Sequence, residues 1–358
     1  MKGRVLVVGF STRHVVQSAA RAGYEVCAVD HFCDQDLCWI TKDRERFADL
    51  ADLPAAIERI CRRHTFDFLV VTSGAEDLSP PVSLCGTPKE KIGRFLDKLE
   101  TQYFFEQLNV PVPRLLPDGK YPAMVKPRRG AGGWRNSIVC DKKGLTEWED
   151  LYPATPFIRQ EIIEGVPASV CCITDGSHAR AIAVNEQFLR GNEGSAFGFS
   201  GSVTPLDHPL SPVMIMLAEQ IAASSGCSGT IGIDFVLGKD SPYAIEVNPR
   251  FQGTVDTVEM ACACNLFRYH VDACRGILPP VAPTPNQVAV RSILFADRNI
   301  TIKCDLKHLA SRIADIPWPG TFFEEGQALV SVFGWGKTRE DAFSLLDKHI
   351  STVRQYIR

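Results

Sequence analysis

Residues 229–254 read GTIGIDFVLGKDSPYAIEVNPRFQGT. Ile231, Ile233, Phe235 and Leu237 alternate with Gly232, Asp234 and Val236, the period of a strand with one buried face. Gly238, Lys239, Asp240, Ser241 and Pro242 break that pattern, and residues 243–247 run back. An antiparallel hairpin sets Asp234 near Glu246. Asn248, two residues on, faces the same way because strand side chains alternate. Two carboxylates and an amide oxygen form the donor set of a hard cation such as Mg2+, which commonly binds one or two carboxylates together with nucleotide phosphates. Arg250, on the same face if the strand continues, would supply the positive charge that a transferring phosphoryl group needs. An ordinary hairpin whose acids happen to alternate would look the same, so the rest of the chain has to decide.

The 358 residues exceed one ordinary core and predict two or three domains. A hydrophobic fraction of 45%, a charged fraction of 23% and a net charge of -3 fit a globular protein and give no bulk electrostatic reason to expect a nucleic-acid or membrane partner. The opening MKGRVLVVGF has too short an apolar run for a signal peptide or a membrane span, which predicts a cytoplasmic protein. The 13 cysteines lack paired C-x-x-C spacing and sit in apolar runs or on helices, as small core residues do. Cys33, Cys38 and His31 are the nearest approach to a metal cluster, without the tight ligand pairs of a zinc site.

From the N-terminus, residues 4–10 predict a strand, 14–22 a helix closed by Gly23, and 25–29 a second strand ending at Asp30. This is a βαβ unit of the doubly wound kind. Asp30 lies near the spacing of a ribose-binding acid, but the turn after Gly9 reads F-S-T-R and lacks the glycines of a dinucleotide site. A further strand at 66–72 leads to Gly74, Glu76 and Asp77, at the sheet edge where α/β proteins bind ligands. A helix is expected over 89–108. YPAMVKP (121–127) reads as a strand carrying Lys126, and RRGAGGWRN (128–136) follows with Arg128, Gly130, Gly132 and Gly133. Glycines beside a lysine suit a flap whose amides fold over phosphates, although the G-K-[ST] ending of a Walker loop is missing.

FIRQEII (157–163) reads as a strand running into Glu164 and Gly165, whose backbone could hold a flat base between apolar neighbours. The polar, glycine-rich residues 181–204, with Asn185, Glu186, Arg190, Asn192 and Glu193, predict a mobile substrate loop. Helices are expected over 212–224 and 255–275. The tail brings strands near 288–296 and 328–335 and a helix over 339–356, and is expected to pack on the preceding lobe and complete the cleft wall.

Taken together, Asp97-Lys98, YPAMVKP, RRGAGG, FIRQEIIEG, GIDFVL and IEVNPRFQG resemble, in order and spacing, the ATP-grasp superfamily, with a flavour of the archaeal-type ATP-dependent carboligases related to biotin carboxylase. The resemblance implies an α/β and α+β architecture. A Rossmann-like pre-ATP-grasp domain would occupy 1–88 and a small lobe with its flap 89–165. A large lobe with the metal site would occupy 166–285 and a C-terminal α+β segment 286–358. It implies ATP as cosubstrate, with Lys98, Lys126, Arg128 and the flap glycines at the phosphates, and Gln160, Glu161, Ile163 and Glu164 around adenine and ribose. Asp234, Glu246 and Asn248 would hold Mg2+, which Mn2+ could replace, and Arg250 and Lys126 would act on the transferred phosphoryl group.

Two departures stand out. Pro167 occupies the place where the family often has a ribose-gripping glutamate, and Thr254 the place where biotin carboxylase has a glutamate acting on bicarbonate. The implied activity is a carboxylate-amine ligase working through an acyl phosphate, with small-molecule carboxylate and amine partners, in cofactor biosynthesis on the closer resemblance, and compatible with a homodimer. The alternatives are a non-catalytic nucleotide-binding module, an NAD-dependent oxidoreductase and a carboxylase using bicarbonate.

Overall fold

The computed structural model describes residues 2–130, 132–191 and 197–357. Val5, Leu6, Val7 and Val8 are all buried, and they make β1 (Arg4–Gly9) the centre of a parallel sheet. β2 (Glu25–Asp30), β3 (Asp43–Arg46) and β4 (Phe68–Val71) complete it in the order β3-β2-β1-β4. Strands covered on both faces explain runs that are apolar without alternation. The helix Leu53–Arg63 covers one face. On the other, the helix Arg13–Arg21 packs with Phe251, Val255, Val258, Leu266 and Phe267, residues that follow the acidic hairpin in sequence. The N-terminal sheet is thus fused to the rear of the segment that carries the acids.

A small antiparallel sheet of order β6-β5-β7 joins β5 (Ala123–Pro127), β6 (Ser137–Val139) and β7 (Phe157–Gln160), with Trp148 in its core. The large sheet has eight strands. It begins β12 (Pro242–Asn248), β11 (Gly229–Leu237), β8 (Val166–Thr174), β9 (Ala179–Leu189), β10 (Phe199–Thr204) and β13 (Val288–Phe295). It ends with the strands Ala328–Gly336 and Ile313–Ala314, all pairings being antiparallel. The helices Ser211–Ser224 and Arg339–Tyr356 bury their apolar faces on it. Among the described residues no helix is long and apolar enough to cross a membrane.

Several expectations from the sequence need correction. The helix expected over 89–108 is two helices, Lys89–Ile92 and Lys98–Gln107, because Asp97 turns extended to cap the second, accepting from the Leu99 amide at 2.9 Å. The helix expected over 255–275 breaks at Ala263, which takes φ 49°, and restarts under the Asn265 cap as Leu266–Ala273. Among the described residues, 181–191 and 197–204 do not form the expected long substrate loop. They supply β9 and β10, with Asn185 fully buried between Thr204 and Ser169, while Asn192 and Glu193 lie outside the described residues. The C-terminal strands continue the large sheet instead of walling the cleft.

One buried ion network ties these parts together. Arg13, only 2% exposed, donates from both terminal nitrogens to Asp256 at 2.7 and 2.8 Å and from Nε to Asp315 at 2.8 Å. Arg291 reaches the other Asp315 oxygen at 3.0 Å and the Gly253 carbonyl at 2.8 Å. Removing one member of a buried ion pair strands the remaining charges, which typically costs about 3–5 kcal/mol. Arg13→Ala is therefore expected to lower the unfolding free energy by that order, read from urea titration, and an unchanged urea midpoint would show the network to be dispensable.

Candidate active site

The register of the hairpin sets the site. Asp234 lies directly across from Glu246, and Gly232 across from Asn248, in the β11–β12 ladder. The ladder slips by one residue just after Asp234, a bulge that interrupts regular pairing beside the acids. Asn248 donates to Asp234 at 2.9 Å, and Gln187 of β9 donates to the other carboxylate oxygen at 3.0 Å. Burial, and after it the Glu246 charge, push the Asp234 carboxyl up to about 7, against the pull of Gln187, Arg250 and Asn248. Two carboxylates that resist ionising together favour a cation between them, so the residues present fit a divalent metal.

Facing this wall is the small sheet. Lys126 of β5 is 8% exposed. Burial lowers its ammonium from 10.5 to about 8; Glu246 opposes that fall and Lys98 adds to it. Lys98 opens the helix Lys98–Gln107 and donates to the Gly130 carbonyl at 2.7 Å, tying the helix to the flap. Gly133 takes φ 69°, and a Cβ there would strike the Phe197 carbonyl, so the flap tip rests against the connection between β9 and β10. Gly165 is equally constrained, since a side chain would run into the Leu237 carbonyl where the small sheet hands over to the large one.

Between the two walls lies a cleft of about 590 Å3. Its lining includes Lys98, Lys126, Gly132, Gly133, Glu161, Ile163, Glu164, Asp234, Glu246, Asn248 and Arg250. A volume of that size suits a nucleotide or drug-sized molecule. Another hollow, of about 720 Å3, lies beside the helix Arg339–Tyr356 and has neither facing acids nor a glycine flap.

Other sequence candidates point elsewhere. Arg128 turns back onto Asp97 in a two-pronged pair at 2.6 and 3.0 Å. Gln160 donates to Gln102 at 2.8 Å, and its buried carbonyl oxygen has no partner among the described residues. The Glu161 carboxylate is held by Arg114, at 2.9 Å from its amide and 2.8 Å from Nε, which keeps it below the usual carboxylate range. It therefore offers the cleft only its backbone. Strand β7 stops at Gln160, short of the expected 163; the Glu161 amide still donates to the Arg114 carbonyl at 2.9 Å, and residues 161–165 leave the ladder and line the cleft.

Arg250 lies beyond the end of β12 but still reaches the site. It donates to Asn248 Oδ1 at 3.0 Å and forms an ion pair with Glu76, from the loop after β4. Sequence reasoning singled out Glu76 but did not join it to Arg250. Gly74 packs on Leu50 and Asp77 pairs with Lys89 at the surface. Gln187 was missed altogether: it follows the apolar run 181–184 in a polar stretch, Asn185, Glu186 and Gln187, that carries no alternation to mark it as strand.

Asp30 has no grip left for a ribose. Its two oxygens accept from the Thr12 amide and hydroxyl and from the amides of Phe32 and Cys33. His31 stacks on Phe10, while the Cys33 and Cys38 thiols point at backbone carbonyls. Cys85, His270 and Cys274 also cluster, but both ring nitrogens of His270 are engaged, Nδ1 by the Thr230 amide and Nε2 by the Cys85 carbonyl, leaving no imidazole lone pair for a metal.

Comparison with known proteins fits this geometry. Residues 95–254 match the ATP-grasp domain family. Over 99% of its length it is 24% identical to the protein MJ0776 of Methanocaldococcus jannaschii, 92% of which is covered. The biotin carboxylase domain of Hydrogenobacter thermophilus 2-oxoglutarate carboxylase, solved with MgADP and bicarbonate, superposes with a TM-score of 0.77 at 14% identity, over 98% of this chain and 89% of that one. An L-amino acid ligase from Bacillus licheniformis gives 0.69 at 16% identity, over 97% of each chain. At such identities the likeness establishes the fold.

The lowered Lys126 ammonium has a measurable cost. Between about pH 8 and 10.5 the unfolded chain keeps a proton that the native state has lost, so stability rises with pH through that window. Below about pH 8 both states are protonated and the full penalty of burying the charge remains. The interval corresponds to at most about 3 kcal/mol. Lys126→Met is expected to be more stable than the parent at pH 7 by up to that amount and to lose the rise between pH 8 and 10.5. Urea titrations at pH 7 and 10 check both.

Proposed function

We propose that the protein is an ADP-forming ATP-grasp ligase that joins a carboxylate to an amine. The observation that carries this reading is one cleft in which Asp234 and Glu246, paired across strands, face Lys98 and Lys126. In this reading Asp234, Glu246 and Asn248 hold Mg2+, which supplies charge neutralisation at the phosphates and a template for in-line transfer. Lys98 and Lys126 neutralise the phosphates from the other wall, and the amides around Gly132 and Gly133 close over them. Residues 161–164 offer backbone groups to the base. The orphaned Gln160 oxygen adds an acceptor for an exocyclic amine.

Arg250 holds the carboxylate substrate beside the transferred phosphoryl group. Oxygen of the carboxylate attacks the terminal phosphorus, giving an acyl phosphate and ADP, and the amine then displaces phosphate from the acyl carbon with loss of one proton. Orientation and charge supply the rate, so the proposed chemistry uses the cations and acids of the site and needs no covalent attack by a side chain. Asn248 presents its oxygen to Arg250, so as a metal ligand it would offer that oxygen to the cation in place of the guanidinium. Thr254, buried where a carboxylase of this fold would carry its glutamate, offers no carboxylate to bicarbonate, so the ligase reading is preferred.

Mg·ATP is expected to raise the melting temperature, with EDTA reversing the gain. Glu246→Gln and Lys126→Ala are expected to lower amine-dependent ADP release by about a hundred- to a thousandfold with the fold retained. Measuring ADP across a panel of carboxylate and amine pairs tests this; turnover unaffected by either substitution would remove the proposed chemistry. Mg·ATP binding with no ADP release from any pair would point to a binding module instead.

A further inference from the structure

The carboxyl edge of the parallel sheet carries an aromatic group outside the machinery described above. Phe10 follows β1 directly, and His31 and Phe32 follow β2. The Phe10 and His31 rings lie face to face at 4.5 Å with 13° between their planes. Phe32 stands edge-on to both, at 5.2 and 4.8 Å. Phe47 backs His31 from inside. Phe10 and Phe32 nevertheless leave 38% and 36% of their surface in water. Trp318, 45% exposed, joins the same loop by donating from its indole nitrogen to the Cys33 carbonyl at 3.0 Å.

This group is held rigidly. Asp30 fixes the loop through the amides of Phe32 and Cys33, at 2.8 and 2.7 Å, and clasps Thr12 from the other side. His31 Nδ1 is buried without a partner. A preorganised aromatic shelf is what a ring-binding subsite requires, because little ordering remains to be done when the ring arrives.

The shelf also adjoins a loop that reaches the cleft. The Phe10 amide donates to the Ser73 carbonyl at 2.7 Å, and Glu76, three residues further on, grips Arg250 at the reacting end. Three residues span at most about 11 Å. The aromatic group and the Arg250 partner are thus tied to one short stretch, residues 73–76.

We propose that Phe10, His31 and Phe32 form a substrate subsite for a planar aromatic ring. Calling the ring a substrate rests on the ligase reading above; the preference for a ring is measured without turnover. Calorimetric titration of the full chain with 4-aminobenzoate and 2-naphthoate, against their ring-saturated counterparts, is the test. The aromatic probes are expected to bind at least tenfold more tightly than the saturated ones. Phe10→Ala and Phe32→Ala are expected to lose at least tenfold, and Phe10→Leu nearly as much, because bulk is kept while the π face is lost.

Mg·ATP affinity is expected to be the same in all three variants, which also reports that each is folded. Equal affinity for aromatic and saturated probes, absence of binding by both aromatic probes, or undiminished binding in Phe10→Ala and Phe32→Ala overturns the proposal. So does a change of sedimentation coefficient in Phe10→Ala, which would show that a second copy of the chain covers the shelf. Failure of the parent protein to bind Mg·ATP counts against the ligase reading alone.

Discussion

Two like charges brought face to face by strand register are the constraint on which the rest of this molecule turns. The hairpin could not relieve the Asp234–Glu246 contact by slipping one residue, since that would rotate Ile231, Ile233 and Phe235 out of the core and every polar neighbour into it. The repulsion is instead distributed. Gln187 and Asn248 donate to Asp234, Arg250 lies close by, and Lys126 sits opposite on another sheet. Each wall of the cleft thus carries a charge that it would not tolerate alone, and apposing the walls makes both tolerable.

The rear of the acidic wall is stiffened by a second set of charges. Arg13 binds Asp256 and Asp315, and Arg291 links Asp315 to the Gly253 carbonyl, one residue from Gln252 and three from Arg250 in the cleft lining. The N-terminal sheet, the strand after the hairpin and the C-terminal strands therefore converge on the backbone that presents Arg250. A bidentate guanidinium pair fixes direction as well as distance, which a lysine at the same place would not do.

Much of this was legible in the sequence because it depends on short-range periodicity. The alternation around Asp234, the return through Glu246 and Asn248, the βαβ opening and the glycines after Lys126 all act within about 30 residues. What the sequence hid depends on contacts between distant segments or on competition for one side chain. Arg128 looked free for phosphate, but Asp97, 31 residues earlier, takes it. Glu161 looked available until Arg114 claimed its carboxylate. The Glu76–Arg250 pair spans 174 residues and has no local signature. The strands β9 and β10 were obscured by polar residues such as Asn185, whose buried partners Ser169 and Thr204 only the folded sheet supplies.

The lowered ammonium of Lys126 has a chemical side as well. An amine with a value near 8 is unprotonated in about a tenth of molecules at pH 7, whereas a lysine at its ordinary value almost never is. Unprotonated amines are nucleophiles, so this side chain should be singled out by acylating or aldehyde-bearing nucleotide analogues delivered to the cleft, and peptide mapping would locate the adduct. The same desolvation that makes the residue costly to fold gives it a reactive handle for covalent probes.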